Sequence, residues 1–372
     1  MKRNPPYGDI ADLLKKGQVI PFLGAGVNMG ARPPSAKWTE QTKEFLPRGD
    51  ELSRYLADKI EFPSKDPRER SDLAKVSSYY VEISARKNLL DRLRKIFGQV
   101  NCPPCDIHAY LAELAKSADI AASTDLQREF DGLEPKEFKP LLIVTTNYDV
   151  LTELALRELQ CPYDLVVHPT DRKDREGSVM WWRHGAREHV WERPQDLYID
   201  LDTTTVVYKM HGSVAHQLSE VDSYVITEED YVNFLSLMIN QTAIPPVFTS
   251  HFHMRQFLFL GYGLRDWNFR VMLKTLKEPK PQGDASSASD RMPASDAGSP
   301  EAAGARPALP ASHEAPTPMK SWAIQHKPSA PEESLWVARD VIIYDQDINV
   351  FVARLRERTR PLVCYRGQKS TP

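Results

Sequence analysis

Val19-Ile20-Pro21-Phe22-Leu23-Gly24-Ala25-Gly26-Val27-Asn28 decides the fold: an apolar run that opens into a glycine turn within the first tenth of the chain. It reads as the first strand of a nucleotide-binding sheet. Gly24 and Gly26 permit close backbone approach, so amide groups after the strand could point at a pyrophosphate. A glycine turn after a strand also serves as plain punctuation, and Gly-Ala-Gly lacks the third glycine of the dinucleotide fingerprint. Pro21 stands against a central position, because proline removes a ladder donor.

Three later stretches repeat the design. Lys139-Pro140-Leu141-Leu142-Ile143-Val144-Thr145-Thr146-Asn147-Tyr148-Asp149 places four consecutive apolar residues, as in a strand buried on both faces, before a polar cluster. Ligands of open α/β sheets bind beyond the carboxyl ends of strands, so Thr145, Thr146, Asn147 and Asp149 are predicted to face the same crevice as Gly24 and Gly26. Asn147 or Asp149 could equally cap the helix predicted from Val150 to Leu159. Thr205-Val206-Val207-Tyr208-Lys209-Met210-His211-Gly212-Ser213 ends in a histidine, either a base near neutral pH or an imidazole satisfied by backbone. Gln256-Phe257-Leu258-Phe259-Leu260-Gly261-Tyr262-Gly263-Leu264-Arg265-Asp266-Trp267 reads as strand, glycine turn and helix entry, suited to a phosphate or ribose. Ser321–Gln325 and Val341–Tyr344 add two more strands. The predicted class is α/β, a Rossmann-like parallel sheet with helices on both faces.

Residues 8–17 have the spacing of a short helix closed by glycine, and 348–355 that of a last helix. Gly30 to Trp38 is a proline-containing loop, a connector or a cover for a ligand, with Ser35 predicted to cap a helix carrying Trp38, Phe45 and Leu46. Residues 50–98 carry helical periodicity without a strand, which predicts a helical insertion. Cys102-Pro103-Pro104-Cys105 and His108 suggest a metal site, but the second Cys-x-x-Cys that zinc needs is missing. The prolines are read as a chain break, with Asp106 capping the next helix and no metal bound. Residues 161–204, with Trp181, Trp182 and Trp191, read as an irregular hairpin over the site or an oligomer contact. Thr227 and Asp230 fit a capping box loosely, with structural acids. Residues 278–318 turn to Pro, Ala, Ser, Gly and Asp and are predicted to be a disordered excursion, and 365–372 a polar tail.

With 41% hydrophobic residues and a formal net charge of −3, the 372-residue chain can bury a large core and offers no global attraction to nucleic acid or anionic membranes. Four cysteines are too few for a disulfide scaffold. The basic start, Met1 to Pro6, leads into no apolar signal core, and no stretch approaches membrane-span length. A soluble, cytoplasmic protein is expected.

A Gly-Ala-Gly turn, Thr-Thr-Asn-x-Asp and His-Gly at successive strand ends resemble the sirtuins, the silent-information-regulator family of NAD-consuming enzymes, and most closely the bacterial sirtuin-like branch of antiphage defence. The resemblance implies an NAD-binding domain over 8–355, interrupted by 278–318. It implies that Gly24, Ala25 and Gly26 bind the pyrophosphate, with Asn28 and Thr146 also at the NAD. Asn147 would organise the nicotinamide ribose, Asp149 hold the carboxamide and His211 act as the base. Gly261, Tyr262 and Gly263 would lie near ribose and phosphates. Thr146 replaces the family's glutamine, and Arg32-Pro33-Pro34-Ser35-Ala36-Lys37-Trp38 replaces the Pro-Asp-Phe-Arg segment of deacylases. No cysteine follows His211 until Cys364, so the zinc ribbon that supports an acyl-lysine cleft is absent from the sequence. The expected activity is NAD hydrolysis to nicotinamide and ADP-ribose without a metal, with Asn147 and His211 catalytic. Deacylation, ADP-ribosyl transfer, or a non-catalytic NAD- or ADP-ribose-binding module are the alternatives. Such an enzyme needs restraint, so homo-oligomerisation, a partner ATPase or an infection-derived activator is expected, with helices 50–98 and the Trp181 region as candidate contact surfaces.

Overall fold

Strands that are apolar on both faces require cover on both, and the chain supplies it with helices. The computed structural model describes residues 4–33, 35–98, 101–130, 138–168, 178–214, 223–239, 244–262, 274 and 320–365. Gly263, the helix entry at 264–267, the 278–318 excursion and residues 366–372 of the tail lie outside the described residues.

Among these are β1 (Val19–Leu23), β2 (Leu142–Thr145), β3 (Asp164–Val167), β4 (Val179–Trp182), β5 (Val190–Glu192), β6 (Val206–Lys209), β7 (Gln256–Leu260), β8 (Ser321–Gln325) and β9 (Val341–Asp345). They form one sheet in the order β5-β4-β3-β6-β2-β1-β7-β8-β9. From β3 to β9 all neighbours are parallel, while β4 and β5 add an antiparallel edge. The helices are α1 (Tyr7–Lys15), α2 (Gly49–Lys59), α3 (Pro67–Arg70), α4 (Leu73–Ser84), α5 (Arg86–Gly98), α6 (Asp106–Phe130), α7 (Leu151–Glu158), α8 (Glu228–Ile239), α9 (Pro246–Met254), α10 (Ala330–Val337) and α11 (Ile348–Thr359). None of the described helices is long and apolar enough to cross a membrane.

Strand alternation sorts the core. Ile20 and Phe22 of β1 join Val144, Tyr208 and Phe259 beneath Phe234 of α8, Phe248 of α9 and Trp336 of α10. Val19 and Leu23 face the other way, with Ile143 and Leu260, toward α1, α6 and α11. Pro21 does sit in a central strand. The β1–β7 ladder covers all five residues, but pairing with β2 starts only at Phe22↔Val144, so the missing donor falls just before the shorter ladder.

The chain steps from β1 to β2 on one side, and β7 later returns to the other. That reversal is a topological switch point, and it sets a crevice beyond the carboxyl ends of β1, β2, β6 and β7. Helices α2, α4 and α5 close around Leu56, Val76, Leu89 and Leu93 as a separate apolar cluster above that edge.

Two expectations are corrected. No helix carries Trp38, Phe45 and Leu46: Ser35 has φ 66°, and α2 begins only at Gly49. Arg32 claims the segment instead, its Nε donating to Ala36 O at 2.9 Å, and the three apolar side chains are buried from irregular backbone. Nor do residues 161–204 form an irregular hairpin over the site. They supply β3 inside the sheet and β4–β5 at its edge. Leu165, Val167, Met180 and Trp182 pack on α6 and α7, and Trp181 Nε1 donates to Asp164 Oδ2 at 2.8 Å.

A candidate active site at the carboxyl edge of the sheet

The turns after β1 and β7 lock together because glycines let their backbones meet directly. Gly24 N–H donates to Leu260 O at 3.0 Å and Gly26 N–H to Gly261 O at 2.8 Å. Gly261 has φ 62°, and a Cβ there would lie 2.2 Å from Val27 N. The amides of Gly24 and Gly26 are both engaged within the protein. What these glycines provide is close approach.

At the end of β2, Thr145 Oγ1 donates to Leu23 O at 3.1 Å and accepts Asn147 N–H at 3.0 Å, which turns the chain toward β1. Asn147 Nδ2 then donates to Gly24 O at 3.2 Å. The Asp149 carboxylate does two things at once. Oδ1 accepts Leu151 N–H at 3.1 Å, capping α7, and Oδ2 accepts Asn28 Nδ2 at 2.9 Å. The cap was one of the two readings of this aspartate, and the Asn28 contact holds the same carboxylate at the crevice. Asn28 Oδ1 is buried with no hydrogen-bond partner among the described residues.

His211 follows β6, 7% exposed, with its ring 5.5 Å from that of Tyr231 and 5.3 Å from that of Phe234 on α8. Burial first, and nearby His168 second, push its imidazole down to about 3, so it is neutral at physiological pH. Helix α8 is fixed in turn by a reciprocal cap: Asp230 N–H donates to Thr227 Oγ1 at 3.1 Å and Thr227 N–H to Asp230 Oδ2 at 2.9 Å. Asp in place of Glu completes the box.

Gly24, Ala25, Gly26, Asn28, Thr146, Asn147, Asp149, His211, Gly261 and Tyr262 all line one cavity of about 1020 Å³. None of the described residues of 161–204 does. The cavity extends past the expected residues to Pro47 before α2, Leu52 of α2 and Phe97 of α5, and to Gln325 at the end of β8 and Asp347 and Asn349 after β9. These side chains carry no local motif, and only the sheet order reveals them.

Arg32, also on the lining, is clamped by Glu51, with Nη1 to Oε2 at 2.7 Å and Nη2 to Oε1 at 2.5 Å. Burial raises the Glu51 carboxyl, but Arg32 and the amides of Arg48 and Trp38 outweigh it, bringing it from the ordinary 4.5 to about 2. A depressed carboxyl contributes stability that is full above about pH 4.5 and is lost as pH falls toward 2. The thermal midpoint of Glu51→Gln is therefore expected to lie several degrees below wild type at pH 7, the gap closing below about pH 4.5. A gap that does not change with pH in melting curves would refute the clamp.

Cys102, Cys105 and His108 lie below this wall. Both thiols are free and buried, and His108 Nδ1 accepts Cys105 N–H at 3.1 Å. The histidine, rather than Asp106, thus satisfies the amide at the start of α6, as Glu does in a capping box. Burial brings the imidazole down to about 4. Among the described residues no group of three His, Cys, Asp or Glu side chains is placed to hold a metal.

A comparison with curated proteins finds no match. Residues 141–298 match the model of the SIR2-like domain, a span that starts in the approach to β2 and takes in Asn147, Asp149, His211 and Gly261 but not the Gly-Ala-Gly turn. SIR2-like domains use NAD and are typically enzymatic. Over this span, whose strand ends build the cavity together with the turn after β1, the chain is similar to the SIR2-like domain of the sirtuin-like superfamily.

Proposed function

We propose that the chain is an NAD glycohydrolase, with NAD as its substrate. The observation that supports this best is the convergence of Asn147, Asp149 and a neutral, buried His211 on one cavity beyond the sheet. Cleavage breaks the N-glycosidic bond. Nicotinamide leaves with the bonding pair, an oxocarbenium ion develops at the anomeric carbon, and water adds there while losing a proton. Groups that meet charge only in the transition state accelerate such a step. Asn147, anchored on Gly24 O, would orient the ribose, and Asp149, held by Asn28 and α7, would hold the carboxamide. His211 in its neutral form would accept a hydrogen bond from a ribose hydroxyl or the attacking water. A constantly active NAD-consuming enzyme would harm its host. The proposal therefore includes an NAD-depleting role in antiphage defence, under control of assembly, a partner ATPase or an infection-derived activator.

The test is release of nicotinamide and ADP-ribose from NAD by the purified chain, with Asn147→Ala beside it. Equal amounts of the two products are expected from wild type, and a loss of about 100-fold in kcat from the folded variant. Products carrying an acyl or protein group would mean transfer instead of hydrolysis. Tight NAD binding without turnover would mean a binding module.

A further inference from the structure

Lys209 is the last residue of β6, two before His211, and its side chain is fully buried. Strand alternation turns it away from Tyr208 and Met210 and toward α7. There Nζ donates to the backbone carbonyl of Asp149 and pairs with Glu153 Oε1 at 2.9 Å, a carboxylate that is itself only 4% exposed. An ammonium group with no solvent is costly to bury, and hydrophobic packing would fill the same space at least as well for stability alone. Its two partners say what it holds. One is the carbonyl that follows Asn147 and Tyr148, the other is in the first turn of the helix that Asp149 caps.

We infer that Lys209 is a positioning residue: by gripping the Asp149 carbonyl from the adjacent base-bearing strand, it fixes the Asn147–Asp149 turn relative to His211. The strands already fix their own register, with Lys209 opposite Thr145 on β2 and Val167 on β3. That register ends at Thr145, however, and Thr146 to Asp149 run on beyond the ladder. Backbone and side-chain bonds to Leu23, Gly24 and Asn28 hold this turn on its β1 side. On the His211 side Met210 N–H donates to Thr145 O and Val214 N–H to Tyr148 O, each at 2.9 Å, and the Lys209 ammonium holds the Asp149 carbonyl, the end of the turn, from beneath β6. Without it, the carboxamide and ribose positions lose alignment with the imidazole while the pyrophosphate end keeps its walls.

The assignment rests on the proposed NAD cleavage, and the experiment separates the two. Lys209→Met alone leaves the Glu153 carboxylate buried without a counter-charge and can fail to fold, so the decisive protein is Lys209→Met/Glu153→Met, in which both charges leave together. Folding is verified by melting, and kcat and KM for NAD are measured beside the affinities for NAD and for ADP-ribose, which lacks nicotinamide. The expected result is a thermal midpoint close to wild type, kcat for NAD lowered about 10-fold or more, NAD affinity weakened and ADP-ribose affinity unchanged within about twofold. A folded double variant with wild-type kcat and wild-type affinities for both ligands overturns the assignment. So does one that loses NAD and ADP-ribose affinity equally, because that marks general damage. If the wild-type chain binds NAD without cleaving it, the hydrolase reading fails and the positioning role is still decided by the split between the two affinities. If it binds neither, both fall.

Discussion

Gly212→Ala is expected to lose about 4 kcal/mol or more of stability, lowering the thermal midpoint by about 10 °C or preventing folding. Gly212 has φ 90°, and a Cβ there would stand 1.6 Å from Ser223 O and 2.3 Å from Ser223 C. Both are backbone atoms, so no rotamer relieves the clash. Residues 211–213 and 223–225 would have to separate, breaking Val225 N–H to His211 O at 3.2 Å and Ser213 N–H to Ser223 Oγ at 3.2 Å. Tyr224 and Ile226, which plug the helical cluster, would move with them. A midpoint within about 2 °C of wild type in calorimetry would show that this approach is not as close as described.

His211→Ala should fold and fail to turn over. With Gly212 intact, the backbone contacts that seat the residue survive, and the loss is an imidazole ring against Tyr231 and Phe234. NAD cleavage is expected to fall by about 100- to 10,000-fold, the range of a positioned general base. The wild-type profile carries a second signature. A histidine held down to about 3 keeps one form from pH 5 upward, so kcat/KM should show no ionisation near 6.5 attributable to it. Turnover within about threefold of wild type in the alanine variant would remove His211 from the mechanism.

The strand ends were readable because each announces itself locally: an apolar run, then Gly-Ala-Gly, Thr-Thr-Asn-x-Asp, His-Gly or Gly-Tyr. Parallel sheets collect such ends on one edge, so ten of the twelve residues named from sequence meet at one cavity; Thr145 is buried at the end of β2 and does not line it, and Gly263 lies outside the described residues. Strand β3 was missed because Asp164-Leu165-Val166-Val167 is too short to stand out beside its polar surroundings. Pairing with β6 and β4 gives it a sheet. The stretch from Ser35 to Leu46 misleads for a similar reason. Its apolar spacing suits a helix, but Arg32 and Glu51, nineteen residues apart, hold it in another form. Lys209 could have drawn attention as a lone charge in an apolar strand. Its partner Glu153 sits in an ordinary amphipathic helix, and only the three-dimensional neighbourhood shows that the two are one unit.

The interlocked glycines after β1 and β7 have a mechanical consequence. Three residues without side chains bring backbone directly against backbone, so the base of the crevice cannot breathe without opening the sheet, and its amides should exchange with solvent only on the slowest timescale of the molecule. Compliance is left to the opposite wall, where α2 and α5 face the cavity through Leu52 and Phe97 and rest on a cluster of their own. An activator that reshapes the pocket would therefore act from that side, as a hand moves a jaw against a fixed anvil.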